Sequence, residues 1–359
     1  GMSLAEGRPG DLTKTVFTNA GAEAIEKAVD IARQYYGGKR WKFLSRYRSY
    51  HGNTYGAAAL GGDQRAWAKH GGEMPGVVHF WGPYDMQDPL GRSIEQCYHE
   101  FRSAEYYLDL LRMTIEAEGP ETIAAIFLEG TPGSSGLFIP RKEWLQGVRS
   151  LCDKYGILLV VDEVMSGFGR TGKMFGFEHA GIIPDMVCTA KGLTCGYIQL
   201  GAVTVRKHVA DRFADTPLVT GLTYSGHTTA CAAALGVLEE FERLELLGHV
   251  GVVMQDQEEL LDAIEEANLC VGEIRNVGLF GVIECTDPRT GLPLSPWNRP
   301  QTEVMRKIAA KIRELGMHTF VRWNYIFTVP PLIITAEQLE EGFDIIREAL
   351  KIGDAAVGA

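Results

Sequence analysis

The sequence predicts an α/β fold: a mostly parallel sheet with helices on both faces, followed by a smaller α+β domain. Three observations predict it. Short apolar runs alternate with amphipathic stretches of helical period along most of the chain. The central run, Ile157-Leu158-Leu159-Val160-Val161, lacks polar alternation, as a strand buried on both faces requires. From about residue 250 the pattern changes to helices around a few strands, and 359 residues are more than one core usually serves. The expected division is 14–249 for the larger domain and 250–359 for the smaller, with 1–13 preceding both.

Residues 3–13 are polar with Gly and Pro and suggest no regular structure. Thr15-Val16-Phe17-Thr18 is a short strand that runs into Asn19-Ala20-Gly21-Ala22-Glu23. A helix then begins, with Ile25, Ala28, Val29, Ala32, Tyr35 and Tyr36 on its apolar face. Strands are expected at 41–44 and 77–81, with glycine loops at Gly61-Gly62 and Gly71-Gly72 between them. A helix over about 103–118 precedes the strand Ile123–Leu128, which ends on Glu129 before a Gly/Ser-rich loop. A helix at 141–154 carries Trp144, Leu145, Val148 and Leu151 on one face. The strand ending on Asp162 follows, then the run Met186–Ala190 ending on Lys191, then a strand at 200–205. A turn at 221–228 opens a long Ala-rich helix near Thr229. Beyond 250 come a helix, strands over 271–284, a polar loop at 286–300 and a helix at 302–315. Strands near 319–323 and 326–331 precede a last helix at 336–351, entered through Thr335.

Composition narrows the function. Hydrophobic residues make up 45% and aromatics 9%, which fits a globular chain. A net charge of −11 argues against nucleic acid or an acidic membrane surface as partner. No apolar run reaches membrane-spanning length, and no signal segment opens the chain. The seven cysteines are scattered, several inside apolar runs. They read as buried hydrophobes in a reducing compartment, with neither a disulfide frame nor a metal site. A cytoplasmic enzyme is the expectation.

In an open α/β sheet, ligands sit beyond the carboxyl ends of the strands. Asp162 stands at such an end, and a buried acid needs a cationic partner. The next strand offers Lys191 at the same edge. A pyridoxal phosphate site needs this pair: an amine to form a Schiff base with the aldehyde, and a carboxylate to hold the pyridine nitrogen protonated. A structural ion pair at a sheet edge would look the same, and the two residues alone leave both readings open. Gly21 and Ala22 sit where a helix N-terminus can hold an anion; an ordinary helix start capped by Asn19 is the alternative. Tyr50, beside glycine at a strand exit, can stack on a flat ring or belong to the core. Trp81 and Tyr84 can wall a substrate pocket or serve as packing.

Six stretches, in order, resemble the class III pyridoxal-phosphate aminotransferases of fold type I. They are Phe17–Glu23, Tyr50-His51-Gly52, Asp162-Glu163-Val164 with Gly167–Gly172, Ala190–Thr194, Thr223–His227 and Pro330-Pro331-Leu332. The resemblance covers nearly the whole chain. It implies a large domain built on a mostly parallel seven-stranded sheet, pyridoxal 5′-phosphate as cofactor, and a homodimer that can pair into a dimer of dimers. Lys191 is then the Schiff-base lysine and acid/base, which calls for a lowered pKa. Asp162 partners the pyridinium, Val164 and Tyr50 pack on opposite ring faces, and His51 belongs to the cofactor site. Ala20, Gly21 and Ala22 give backbone donors to the phosphate, with alanine where many members carry a serine. Thr223 reaches the phosphate of the partner subunit's cofactor. Glu129 stands near the ring, followed by Gly130 where proline is usual. Arg322 corresponds to the arginine that grips a substrate carboxylate or sulfonate. Met165, where γ-aminobutyrate and ornithine enzymes have glutamine, points to the ω-amine:pyruvate and taurine–pyruvate branch. The implied activity moves an amino group from a primary ω-amine or ω-amino acid to a keto acid, with pyruvate as acceptor. Rival readings are a 2-oxoglutarate-linked transaminase, a decarboxylase or aminomutase of the same fold, and a non-catalytic relative. Family members carry a longer N-terminal segment, of which residues 1–13 read as a remnant.

Overall fold

The computed structural model describes residues 10–63, 74–83 and 104–358. Tyr84, Gly71-Gly72 and most of the expected N-terminal remnant lie outside the described residues. In chain order the elements begin with β1 (Leu12–Thr18), α1 (Gly21–Tyr35), β2 (Lys42–Arg46), α2 (Tyr55–Leu60) and β3 (Val77–Phe80). Next come α3 (Ala104–Glu118), β4 (Ile123–Glu129), α4 (Lys142–Tyr155), β5 (Leu158–Asp162), β6 (Met186–Thr189) and β7 (Gly201–Arg206). They continue with α5 (Lys207–Asp211), α6 (Thr228–Arg243), α7 (Leu246–Ala267), β8 (Val271–Val277), β9 (Phe280–Asp287) and β10 (Leu292–Pro293). The last are α8 (Glu303–Glu314), β11 (Val321–Arg322), β12 (Tyr325–Thr328) and α9 (Ala336–Val357).

Seven strands form one sheet in the order β1-β7-β6-β5-β4-β2-β3. Pairing is parallel from β3 through β2, β4 and β5 to β6, and antiparallel on both sides of β7. Every strand except β7 therefore points the same way, and six carboxyl ends share one edge. The unbroken apolar run of β5 has a direct cause. Leu158 and Val160 face a core with Ile25, Ala28 and Val29 of α1, while Leu159 and Val161 face a second core with Leu111 of α3 and Trp144 of α4. A strand buried on both faces has no position for a polar residue. Each fully buried Val or Leu contributes about 1.5–3 kcal/mol.

The second sheet runs β10-β9-β12-β11, with β8 paired to β9. Here the faces differ. Ile283 and Ile326 pack with α7, α8 and α9. Phe280, Val282, Tyr325 and Phe327 point the other way, onto Leu137 and Met165 from the loops after β4 and β5. Helix α9 opens with a complete capping box between Thr335 and Gln338.

Three local features differ from the sequence-based expectation. β1 starts at Leu12, three residues early, because this edge strand pairs along its length with β7. Helices α2 and α5, of six and five residues, carry no sequence signal, since neither is long enough to show a helical period. Asn19 does not cap α1. Its backbone N and Nδ2 both donate to Glu23 Oε2, at 2.8 and 2.9 Å, and Ala20 takes the cap position without a side-chain bond.

Candidate active site

The strand ends bring the chemistry together. Glu129 and Asp162 are register partners, the last residues of the parallel neighbours β4 and β5. Asp162 pairs in turn with Cys188 of β6, and Lys191 follows two residues after that strand ends. A cavity of about 280 Å³ lies over this edge. It is lined by Gly21, Ala22, Tyr50, His51, Gly52, Asn53, Glu129, Thr131, Asp162, Val164, Met165, Ala190 and Lys191. Its size is near the lower end of small-molecule sites, about 300–1,000 Å³. Asp162 and Lys191 thus face one cavity, as their places on adjacent strand ends predict. Lys191 adopts a left-handed φ of 35°, which a non-glycine residue takes only where its surroundings impose it.

The direct partner of Asp162 is a residue the sequence pattern does not pair with it. His51 Nδ1 lies 2.9 Å from Asp162 Oδ2, and both side chains are buried. Asp162 Oδ1 accepts from the Val164 backbone N at 3.0 Å. The carboxylate is therefore oriented from two sides. His51 Nε2, on the far side of the ring, is buried without a hydrogen-bond partner among the described residues.

Glu129 is fully enclosed. Burial pushes its carboxyl up to about 7, against the pull of His51 and Arg46 and with the Asp162 charge adding to the rise. Its Oε1 accepts from Tyr50 N at 3.3 Å, and Arg46 Nη2 stands 3.7 Å from Oε2. Glu163, next to Asp162, is also raised to about 7 by burial, although Ser166 Oγ and the backbone N of Gly176 and Phe177 donate to it. A Cβ on Gly130 would stand 2.1 Å from Glu163 Oε1, so this carboxylate fills the space a larger residue would need.

The α1 N-terminus reaches the cavity through Gly21 and Ala22. Added bulk at Gly21 would meet Val164 at 3.0 Å. Gly52, at φ 135°, crosses so close to Ala22 that a Cβ would lie 2.5 Å from Ala22 Cβ. The first-turn N–H groups of α1 receive no side-chain cap and carry the positive end of the helix dipole. This cradle and the paired Asp162 fit a flat, phosphate-bearing heterocycle.

Four sequence-predicted residues do not line this cavity. Ala20 precedes it as the cap residue of α1. Thr223 is exposed in the turn before α6. Trp81 is partly exposed and packs on Tyr47, with ring centroids 4.6 Å apart. Arg322 Nη2 pairs with Asp63 Oδ2 at 3.3 Å, Nη1 donates to Ser134 O at 3.4 Å, and the guanidinium lies 3.9 Å over the Trp323 ring. Thr131 lines the cavity although no motif marks it; its one signal is its place just beyond the end of β4.

Among the described residues no cluster of His, Cys, Asp and Glu can hold a metal ion. None of the described helices is long and apolar enough to cross a membrane.

Comparison with known proteins agrees with this geometry. The family model for class-III aminotransferases matches residues 2–350. A probable γ-aminobutyrate transaminase 4 of Oryza sativa subsp. japonica is 35% identical, covering 97% of this chain and 72% of its own length. An omega-aminotransferase of Caulobacter vibrioides is 32% identical over 97% of this chain and 78% of its own. Among solved structures, taurine:2-oxoglutarate aminotransferase from Bifidobacterium kashiwanohense, in complex with PLP and glutamate, superposes with a TM-score of 0.91 at 41% identity. It covers 99% of this chain and 78% of that one.

Proposed function

The chain belongs to the class III aminotransferases, which use pyridoxal 5′-phosphate, and on that premise we propose that it moves an amino group from a primary ω-amine or ω-amino acid to a keto acid, with pyruvate as acceptor. The observation that carries the reading is the convergence of Lys191, Asp162, His51 and Glu129 on one cavity at the carboxyl edge of the sheet. When bound, the cofactor supplies an aldehyde to take up the amino group and a protonated ring to hold the electron pair left at carbon.

The chain's own residues divide the remaining work. Asp162 anchors the proton on the ring nitrogen, and His51 keeps that carboxylate turned toward it. Tyr50 and Val164, which both line the cavity, would hold the ring between them. Ala20, Gly21 and Ala22 present backbone N–H groups to the phosphate. Lys191 Nζ holds the cofactor in the resting enzyme and then moves a proton between substrate carbon and cofactor carbon. Arg322, from the second sheet, receives a substrate carboxylate or sulfonate, and Trp81 borders the approach.

In this reading the division expected at 14–249 and 250–359 moves to element ends: the large unit opens with β1 at Leu12, and the small one opens with α7 at Leu246. The protein works as a cytoplasmic homodimer in which Thr223 completes the partner's phosphate site. Exposed apolar residues support the dimer: α6 buries only Ala230 and Ala234, and Tyr197, Val219, Tyr224 and Leu235 face outward.

A second acceptor, 2-oxoglutarate, is favoured by the 41% identity to a taurine:2-oxoglutarate aminotransferase. The cofactor's amine form incubated with each keto acid decides between them. Alanine from pyruvate supports the first reading and glutamate from 2-oxoglutarate the second. Neither product, with no half-reaction from any amine, refutes both. Borohydride treatment should fix the cofactor on the Lys191 peptide, and Lys191→Ala should abolish this and lower turnover by at least about 10²–10⁴-fold.

A further inference from the structure

We propose that Arg48 and Tyr325 form a positioning link that ties the strand pair carrying Arg322 to the turn that holds the cofactor ring. The inference rests on the function proposed above. Arg48 lies two residues before Tyr50 and three before His51. It is buried and has a left-handed φ of 63° that a long side chain avoids unless held there. Its backbone is held at both ends: Arg48 N donates to Gly62 O at 2.8 Å, and Ser135 Oγ donates to Arg48 O. Its guanidinium crosses to the second sheet. Nη2 donates to Tyr325 Oη at 3.2 Å, and the planar group lies 4.7 Å from the ring centroids of both Phe138 and Trp297.

Tyr325 is the cross-strand partner of Arg322 in the β11–β12 pair. The path from Arg322 to the ring-facing turn is therefore one strand pairing, one hydrogen bond and two peptide units. Arg275 holds the other side of the same joint. It lies 5.0 Å over Phe138, donates to Gly136 O at 2.7 Å and pairs with Glu273 and Glu284. Nη2 also donates to Ser135 O at 3.4 Å, and a flexible ammonium cannot reproduce the flat stacking of Arg48 between Phe138 and Trp297. Through this joint, the strand pair bearing Arg322 and the Tyr50–His51 turn keep one relative placement.

Tyr325→Phe removes a single hydroxyl and leaves the ring packing, and Arg48→Lys keeps the charge without the planar group. In the cofactor-loaded dimer, each should weaken cofactor affinity by about 3- to 10-fold, the loss of one ordinary hydrogen bond. Each should also reduce the visible circular dichroism of the bound cofactor, which a purely structural defect lowering only the melting temperature would leave alone. The double variant should be no worse than the weaker single, because both break the same link. Wild-type dichroism and affinity in both singles, or losses that multiply in the double, would overturn the proposal. If Arg48→Lys does not fold, Tyr325→Phe decides alone. A wild-type protein that binds no cofactor would instead refute the proposed function.

Discussion

Replacing Glu129 by glutamine should make the protein more stable at neutral pH, and the gain should depend on pH in a defined way. Burial raises the folded-state pKa from an ordinary 4.5 to about 7. Below about pH 4.5 both states hold the proton and nothing is lost. Between 4.5 and 7 the unfolded chain releases its proton while the folded chain keeps it, so stability falls as pH rises. Above 7 the loss is complete. The difference of about 2.5 units corresponds to roughly 3 kcal/mol, at 1.36 kcal/mol per unit. The substituted amide would keep an oxygen to accept from Tyr50 N and has no proton to lose. Urea unfolding of cofactor-free wild type and Glu129→Gln at steps from pH 4.5 to 8.5 measures the difference directly. The variant's advantage should grow by about 3 kcal/mol across that window and then level off. An advantage that does not change with pH would show that Glu129 ionises normally, and one that shrinks as pH rises would show that Arg46 and His51 more than compensate its burial; either would refute the reasoning.

Other substitutions test other parts of the structure. Gly52→Ala places a methyl 2.5 Å from Ala22 Cβ at a φ of 135°, so it should cost at least about 1–3 kcal/mol in urea unfolding and weaken cofactor binding together. Thr335→Ala removes the capping box of α9, which lines no part of the cavity; it should cost about 1 kcal/mol and leave kcat/KM unchanged. Arg322→Met should lower kcat/KM by about 10- to 100-fold for donors bearing a carboxylate or sulfonate, the loss of charged hydrogen bonds worth about 1.5–3 kcal/mol, while uncharged primary amines are unaffected. Equal losses for both donor classes would remove Arg322 from substrate recognition.

The sheet was legible because its strands are buried on both faces, which leaves uninterrupted apolar runs such as 157–161 and 123–128 whatever the surroundings. The site was legible for a related reason. Strand ends are visible as the point where an apolar run stops, and in a parallel sheet those points meet at one edge. Glu129, Asp162 and Lys191 each close such a run, so chain order alone brought them together. What could not be read are contacts that join distant turns. His51 and Asp162 are 111 positions apart, and no local period announces their bond. The Arg48–Tyr325 contact spans 277 positions and joins two sheets whose separate patterns carry no sign of each other.

This difference has a physical root that bears on function. Burying a carboxylate costs several kcal/mol unless it is paired, so Asp162 had to find a partner, and the cation that the sequence offers at the same edge is Lys191. The fold supplies an imidazole from the loop after β2, which can accept or donate at Nδ1. His51 and the Val164 backbone N together orient the Asp162 carboxylate at the edge of the cavity. Lys191 reaches the cavity from the end of β6 and His51 from the loop after β2, on opposite sides of β5. In the function proposed above, that strand order separates the group assigned to the ring nitrogen from the group assigned to the proton at carbon.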